Sequence, residues 1–299
     1  MEILHFEARV ADRAVDLQDL VLARRLWDGL RRAFPLALAA VVLPRGARLV
    51  VGAMPEGMAR DRLRRVTEAA TYGLGTRVWA PLGAATVVRD PARLPWTVRD
   101  VVLDPCRRGL VRDPAEWPFS TYRDVMGAAA DPWVAPGYLA FHLGWPVVGF
   151  AERFHGWVSG DPARRTRGTP TPRRARPSDI PDRRLDELVE ATAAAMRLPT
   201  AAIERRGAAR RLFVGLAGRQ GWWRSEAVGA RCGATAATVR RIRMQGPAPG
   251  LEAAAMCLGD QRLRRGFEVE RAGAGVPGRR RLAPVDRRTE AGGVLSAPG

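Results

Sequence analysis

The chain has 299 residues and carries 49 basic against 31 acidic side chains, a formal charge of +18. Apolar residues make up 46%, enough for a packed core, which excludes a globally disordered chain. The longest aliphatic run, Leu36 to Leu43, is far short of the roughly 20 residues that cross a bilayer, no signal peptide is visible at the N-terminus, and three scattered cysteines (Cys106, Cys232, Cys257) fit neither a disulfide scaffold nor a zinc site.

A reduced, cytoplasmic location is therefore expected, with nucleoid association if the charge serves DNA. All basic residues are Arg, and the chain has no Lys and no Asn. Residues 1–160 hold 21 Arg and 17 acidic residues, a charge of only +4, so the rest of the chain carries +14. A coding bias would act on both halves. The asymmetry points to a polyanion partner for the C-terminal half, with nucleic acid ahead of a membrane surface.

In chain order, Leu4, Phe6, Ala8 and Val10 alternate with His5, Glu7 and Arg9, the pattern of a half-buried strand. Asp16 is placed to cap a helix, with Asp19 three residues on. Leu20, Ala23, Trp27, Leu30 and Phe34 follow at helical spacing, and Pro35 ends the helix. Leu36 to Leu43 is apolar on both faces and reads as a central buried strand. Pro44, Arg45 and Gly46 turn the chain into a second strand, Ala47 to Met54. Met58 to Tyr72 reads as a helix and Thr86 to Val88 as another strand. The order β-α-β-β-α-β is that of an α+β ferredoxin-like sandwich.

Residues 161–181 are rich in Arg and Pro and predict a basic linker, with Arg173, Arg174 and Arg176 as phosphate contacts. From 182 to 268 the pattern is helical and Ala-rich. Residues 269–299 lack periodicity and are expected to be a disordered tail. Within the helical half, Ala209, Leu212, Phe213 and Leu216 line one helix, Trp222 and Trp223 form a bend, and Ser225 is placed to cap a second helix. Gly233 marks a tight turn. Val239 and Ile242 then face inward, leaving Thr235, Thr238, Arg240, Arg241 and Arg243 outward. This is a helix-turn-helix pattern whose last helix offers phosphate anchors and base-reading side chains. The competing reading is an Ala-rich bundle with a solvated Arg face.

Three stretches of the first half carry a family likeness: the hairpin Val41–Val51, the run Arg99-Asp100-Val101-Val102-Leu103-Asp104-Pro105-Cys106-Arg107-Arg108-Gly109-Leu110-Val111, and the run Asp113–Asp124. Together with His155-Gly156-Trp157, they resemble the REP-associated tyrosine transposases of the HUH superfamily, over about residues 1–172. The resemblance implies a fold with two His on a strand, a Mg²⁺ or Mn²⁺ ion that polarises a phosphate, and a tyrosine that attacks it. Its usual partner is a single strand beside a DNA hairpin. Here the His positions hold Gly46 and Arg48, the nucleophile position holds Asp100, and the motif Asn is Asp104. Neither Gly46 nor Arg48 is a metal ligand, so no bound metal and no intact catalytic site are expected. Tyr72, Tyr122 and Tyr138 read as core or surface packing; His5 sits on the polar face of its strand, His142 and His155 lie beside aromatics, and no metal site is expected from the three His. Ala209 to Arg243 also resembles the DNA-binding domain of the bacterial replication initiator, whose Thr-Val pair corresponds to Thr238-Val239. The expected function is DNA binding by a transposase-derived protein that no longer cuts. An active transposase using an unusual tyrosine, and a decaying mobile-element product, are the alternatives. Nothing in the residues fixes an oligomeric state.

Overall fold

The computed structural model describes residues 2–12, 15–52, 54–74, 78–160 and 168–265. The expected tail, 269–299, and the first part of the expected linker lie outside these residues. The chain opens with β1 (Ile3–Arg9), α1 (Leu20–Ala33), β2 (Ala37–Leu43), β3 (Gly46–Gly52), α2 (Glu56–Ala70) and β4 (Thr86–Val88). The four strands form one antiparallel sheet in the order β2-β3-β1-β4. α1 is capped by Asp19, whose carboxylate accepts from the N–H groups of Val21 and Leu22 at 2.8 and 3.1 Å. Asp16 instead closes a local turn on the N–H of Gln18. The cap therefore falls three residues later than the sequence suggests.

One face of the sheet presents Leu4, Phe6, Ala8, Leu49 and Val51 to Leu26, Trp27 and Leu30 of α1 and Ala59 and Leu63 of α2. The other face is covered by α3 (Leu94–Arg107), whose Val98, Val101 and Val102 pack on Leu38, Val41 and Val50. β2 is thus apolar on both sides, yet it is an edge strand, not a central one. Its free edge is covered by residues 117–121. The Val42 N–H donates to the Phe119 carbonyl and the Thr121 N–H to the Ala40 carbonyl, both at 3.0 Å. The Trp117 indole donates to the Val42 carbonyl at 2.8 Å. An uncovered edge would leave these backbone groups unsatisfied.

Beyond α3 come α4 (Tyr122–Val125), α5 (Pro136–Leu143), α6 (Phe150–Ser159), α7 (Leu185–Met196), α8 (Ala208–Arg219), α9 (Ser225–Arg231), α10 (Ala236–Met244), α11 (Leu251–Gly259) and α12 (Gln261–Arg265). A single hydrophobic cluster runs from Val101 through Tyr122 and Phe154 to Leu188, Phe213, Val228, Val239 and Leu258. Met1–Glu268 accordingly form one compact unit. The sequence places a break at 161–181, but residues 168–181 are packed as a strap and not as a free linker. The strap receives a hydrogen bond from His155 on Thr169 and one from Arg262 on Pro170. It donates from Ala175 to the Ala255 carbonyl at 2.8 Å and from Ser178 to the Arg219 carbonyl at 3.0 Å. Among the described residues no helix is long and apolar enough to cross a membrane.

Candidate nucleic-acid interface

Strand alternation puts His5 and Glu7 of β1 on the sheet face that α3 covers. Pairing of Glu7 with Arg48 puts Arg48 beside them. α3 brings Asp100 and Asp104, four residues apart, over the same face. The four positions singled out from the family likeness are therefore gathered in one region. Arg48 Nη1 lies 3.4 Å from Asp104 Oδ2, and Arg48 Nε donates to His5 Nε2 at 3.3 Å. Arg108 donates to the other Asp104 oxygen at 3.1 Å and stands 3.7 Å from Glu7. Arg107 pairs with Asp100 at 2.5 Å.

Burial, reinforced by the Arg48 charge, holds the His5 pKa down to about 4. Because Arg48 donates to Nε2, the neutral His5 ring carries its proton on Nδ1. The Glu7 carboxyl is also held low, chiefly by its hydrogen bond from Arg9. Gly46 has a distinct role. A Cβ at this position would lie 2.1 Å from the Ala8 carbonyl oxygen, and its φ is +156°. Only glycine allows β1 to approach this closely.

The tyrosines lie elsewhere. Tyr122 is buried and its hydroxyl meets His155 Nδ1 at 2.5 Å. Since His155 Nε2 faces a carbonyl that can only accept, the proton sits on Nε2 and Tyr122 donates to Nδ1. Burial pushes the Tyr122 hydroxyl well above its usual range. Tyr72 follows α2, on the opposite face of the sheet from α3, and Tyr138 lies on α5 beside the Leu36 carbonyl. His142 packs edge-on to Tyr138 and Phe141. Among the described residues no three His, Cys, Asp or Glu side chains form a metal-holding group.

The second charged region is built on α8, α9 and α10. Val228 and Val239 are buried against Leu212, Phe213 and Leu216, which positions α9 and α10 on α8. Gly233 turns the chain at φ +62°. Gly229, beside Val228 on the second helix of the pattern, lets the turn close tightly: a Cβ there would lie 2.4 Å from the Ala234 carbonyl oxygen. Thr235 caps α10. Its hydroxyl accepts from the Thr238 N–H at 3.2 Å and lies 3.0 Å from the Thr238 hydroxyl. Both Thr side chains thus serve the helix start.

Ser225 does not cap α9. It is the first residue of that helix, and Arg224 stands at the cap position without a side-chain hydrogen bond. The Ser225 hydroxyl instead accepts from Arg243 at 3.3 Å. Arg243 folds back rather than facing outward. It donates to the Trp223 carbonyl at 2.9 Å and to the Trp222 carbonyl, and its guanidinium lies 5.8 Å from the Trp223 ring. A helical wheel alone could not show this, because the bend that receives Arg243 lies some 20 residues earlier in the chain.

Ala237, Arg240, Arg241 and Met244 form the exposed stripe of α10. Among the described residues, Arg240 and Arg241 have no acidic partner, nor do the exposed Arg205, Arg206, Arg211 and Arg224. On the strap, Arg173, Arg174 and Arg176 are all exposed, and Arg174 pairs with Glu252 at 3.2 Å.

No family model matches this chain, and no curated protein matches it. Among solved structures, a REP-associated tyrosine transposase bound to a REP hairpin is similar to it, with 23% identity and a TM-score of 0.35 over 41% of this chain and 78% of that one.

Proposed function

We propose that this protein binds duplex DNA through the exposed face of α10, and that it derives from a tyrosine transposase whose cutting chemistry is gone. The observation that carries the first part is the free Arg240 and Arg241 pair on a helix whose opposite side is anchored by Val239. A merely solvated helix face of this kind would normally mix both charge signs. In this reading α8–α10 form a helix-turn-helix, the sheet half is a ferredoxin-like sandwich, and Arg173 and Arg176 add phosphate contacts. Free guanidinium groups on a rigid helix suit the major groove, where Arg meets guanine edges in bidentate fashion.

The loss of cutting is supported by the charge cluster around Arg48. A divalent cation would need the oxygens and ring nitrogen that Arg48 and Arg108 already occupy. A fixed guanidinium in their midst would repel it. We therefore read the site as holding no Mg²⁺ or Mn²⁺, and Asp100 as a paired surface carboxylate rather than a nucleophile.

The test uses the full chain, because the helical half shares its core with the rest. Selection from a randomised duplex library should enrich a defined sequence. The double variant Arg240→Ala/Arg241→Ala should bind that sequence about 10-fold or more weaker, since each base-reading Arg contributes roughly 1–3 kcal/mol. Incubation with hairpin-tailed single strands and Mn²⁺ should give no denaturation-resistant adduct. Equal binding of the double variant, or a covalent adduct on any tyrosine, would refute the corresponding half of the proposal.

A further inference from the structure

The outward stripe of α10 is not wholly basic. Ala237 and Met244 flank Arg240 and Arg241 on it, and Met244 is 87% exposed. At 100° per residue the four positions fall within about a third of the helix circumference. Ala237 and Met244 lie seven residues apart, roughly 10 Å along the helix axis, which matches about three base-pair steps. One exposed apolar side chain needs no explanation. Here two apolar groups bracket two Arg without acidic partners in one row, on the helix proposed to meet DNA.

The only apolar group on the floor of the major groove is the C5-methyl of thymine. A short methyl such as Ala237 and a long, unbranched thioether such as Met244 are suited to it, the latter because it adapts its shape to the partner surface. We infer that Ala237 and Met244 are specificity-determining residues that select thymine at the two ends of the stretch whose central bases meet Arg240 and Arg241. The inference rests on the DNA-binding reading. Met244 therefore has its functional surface facing solvent in the free protein, and buries it only against the methyl group.

The experiment takes the duplex enriched by the full chain and replaces each thymine in turn by uracil, which removes only the C5-methyl. Burial of one methyl is worth about 0.8 kcal/mol, or roughly a fourfold change in affinity. Uracil at one position should weaken the parent about fourfold. That same replacement should have no effect on Met244→Ala, while a second position should lose its uracil effect in Ala237→Gly. Neither side chain is buried, so the melting temperature of Met244→Ala should equal that of the parent, and Ala237→Gly is compared at matched folded fraction. If a sequence is enriched but every uracil duplex binds like its thymine parent, the inference is overturned while DNA binding stands. It is likewise overturned if the uracil effects persist in both variants. If no duplex is enriched at all, the DNA-binding reading falls and takes the inference with it.

Discussion

Gly46 and His5 show two residues whose roles come from their surroundings rather than from chemistry of their own. At Gly46 any side chain meets the Ala8 carbonyl, since the Cβ would stand 2.1 Å from its oxygen. Gly46→Ala should therefore lower stability by about 1–3 kcal/mol, the usual cost of forcing extra atoms into a packed site. The urea midpoint measures this, and an unchanged midpoint would show that β1 can move away. His5 is held neutral in the fold, with its pKa at about 4 against 6.5 for the unfolded chain. The unfolded state takes up a proton near pH 6.5, whereas the folded state resists it until about pH 4. The contribution of His5 is thus complete above pH 6.5 and is lost as the pH falls through that window. Urea midpoints at pH 7.5 and pH 5 should differ more for the parent than for His5→Gln. Equal losses in both proteins would assign the pH sensitivity to another group.

Among the elements, α10 carries one arginine folded back onto the protein, Arg243, and two that are exposed, Arg240 and Arg241. Arg243 holds the Trp222–Trp223 bend by its bonds to two carbonyls and to Ser225. Arg243→Ala leaves those acceptors without their charged donor and should cost about 1–3 kcal/mol of stability. Arg240→Ala, on the exposed stripe, should leave the melting temperature unchanged and weaken binding to the preferred duplex more than to random DNA. Thermal melts read alongside both affinities separate the two. The reverse assignment would follow if Arg243→Ala melted like the parent. On the strap, replacing Arg173, Arg174 and Arg176 by Gln should weaken binding to all duplexes alike and flatten the salt dependence, because phosphate contacts carry no base information. A shift in the preferred sequence would instead mean that the strap reads bases.

At the level of the entire described unit, the sheet half and the helical half meet around Arg197. This residue ends α7 with φ +52° and is itself buried. It pairs with the buried Asp124 at 2.5 Å, donates to the Pro118 carbonyl at 2.9 Å and lies over the Trp27 ring at 4.7 Å. Arg24 of α1 in turn donates to the Met196 and Arg197 carbonyls at 2.6 and 2.8 Å. Removing one member of such a buried pair strands the other charge. Arg197→Ala should cost about 3–5 kcal/mol. The continuous core implies that the two halves unfold together. Far-UV circular dichroism and tryptophan fluorescence should give coincident denaturation curves, whereas two separate transitions would mean that the halves are independent.

The strands and helices were readable along the chain because burial imprints a local period: two for β1, about 3.6 for α1 and α10. Turn residues such as Gly233 were readable for the same local reason. Long-range partners were not. The run Leu36–Leu43 is apolar because helices cover both of its faces, and periodicity does not record whether another strand or residues 117–121 satisfies its edge. The positions 46, 48, 100 and 104 could be named from a family likeness, but not the fact that Arg48 and Asp104 meet, nor that His5 is the second partner of Arg48. The inward turn of Arg243 and the docking of the strap were equally hidden. Each of these depends on atoms that are tens of residues away in sequence, and only packing of the closed core brings them within hydrogen-bonding distance.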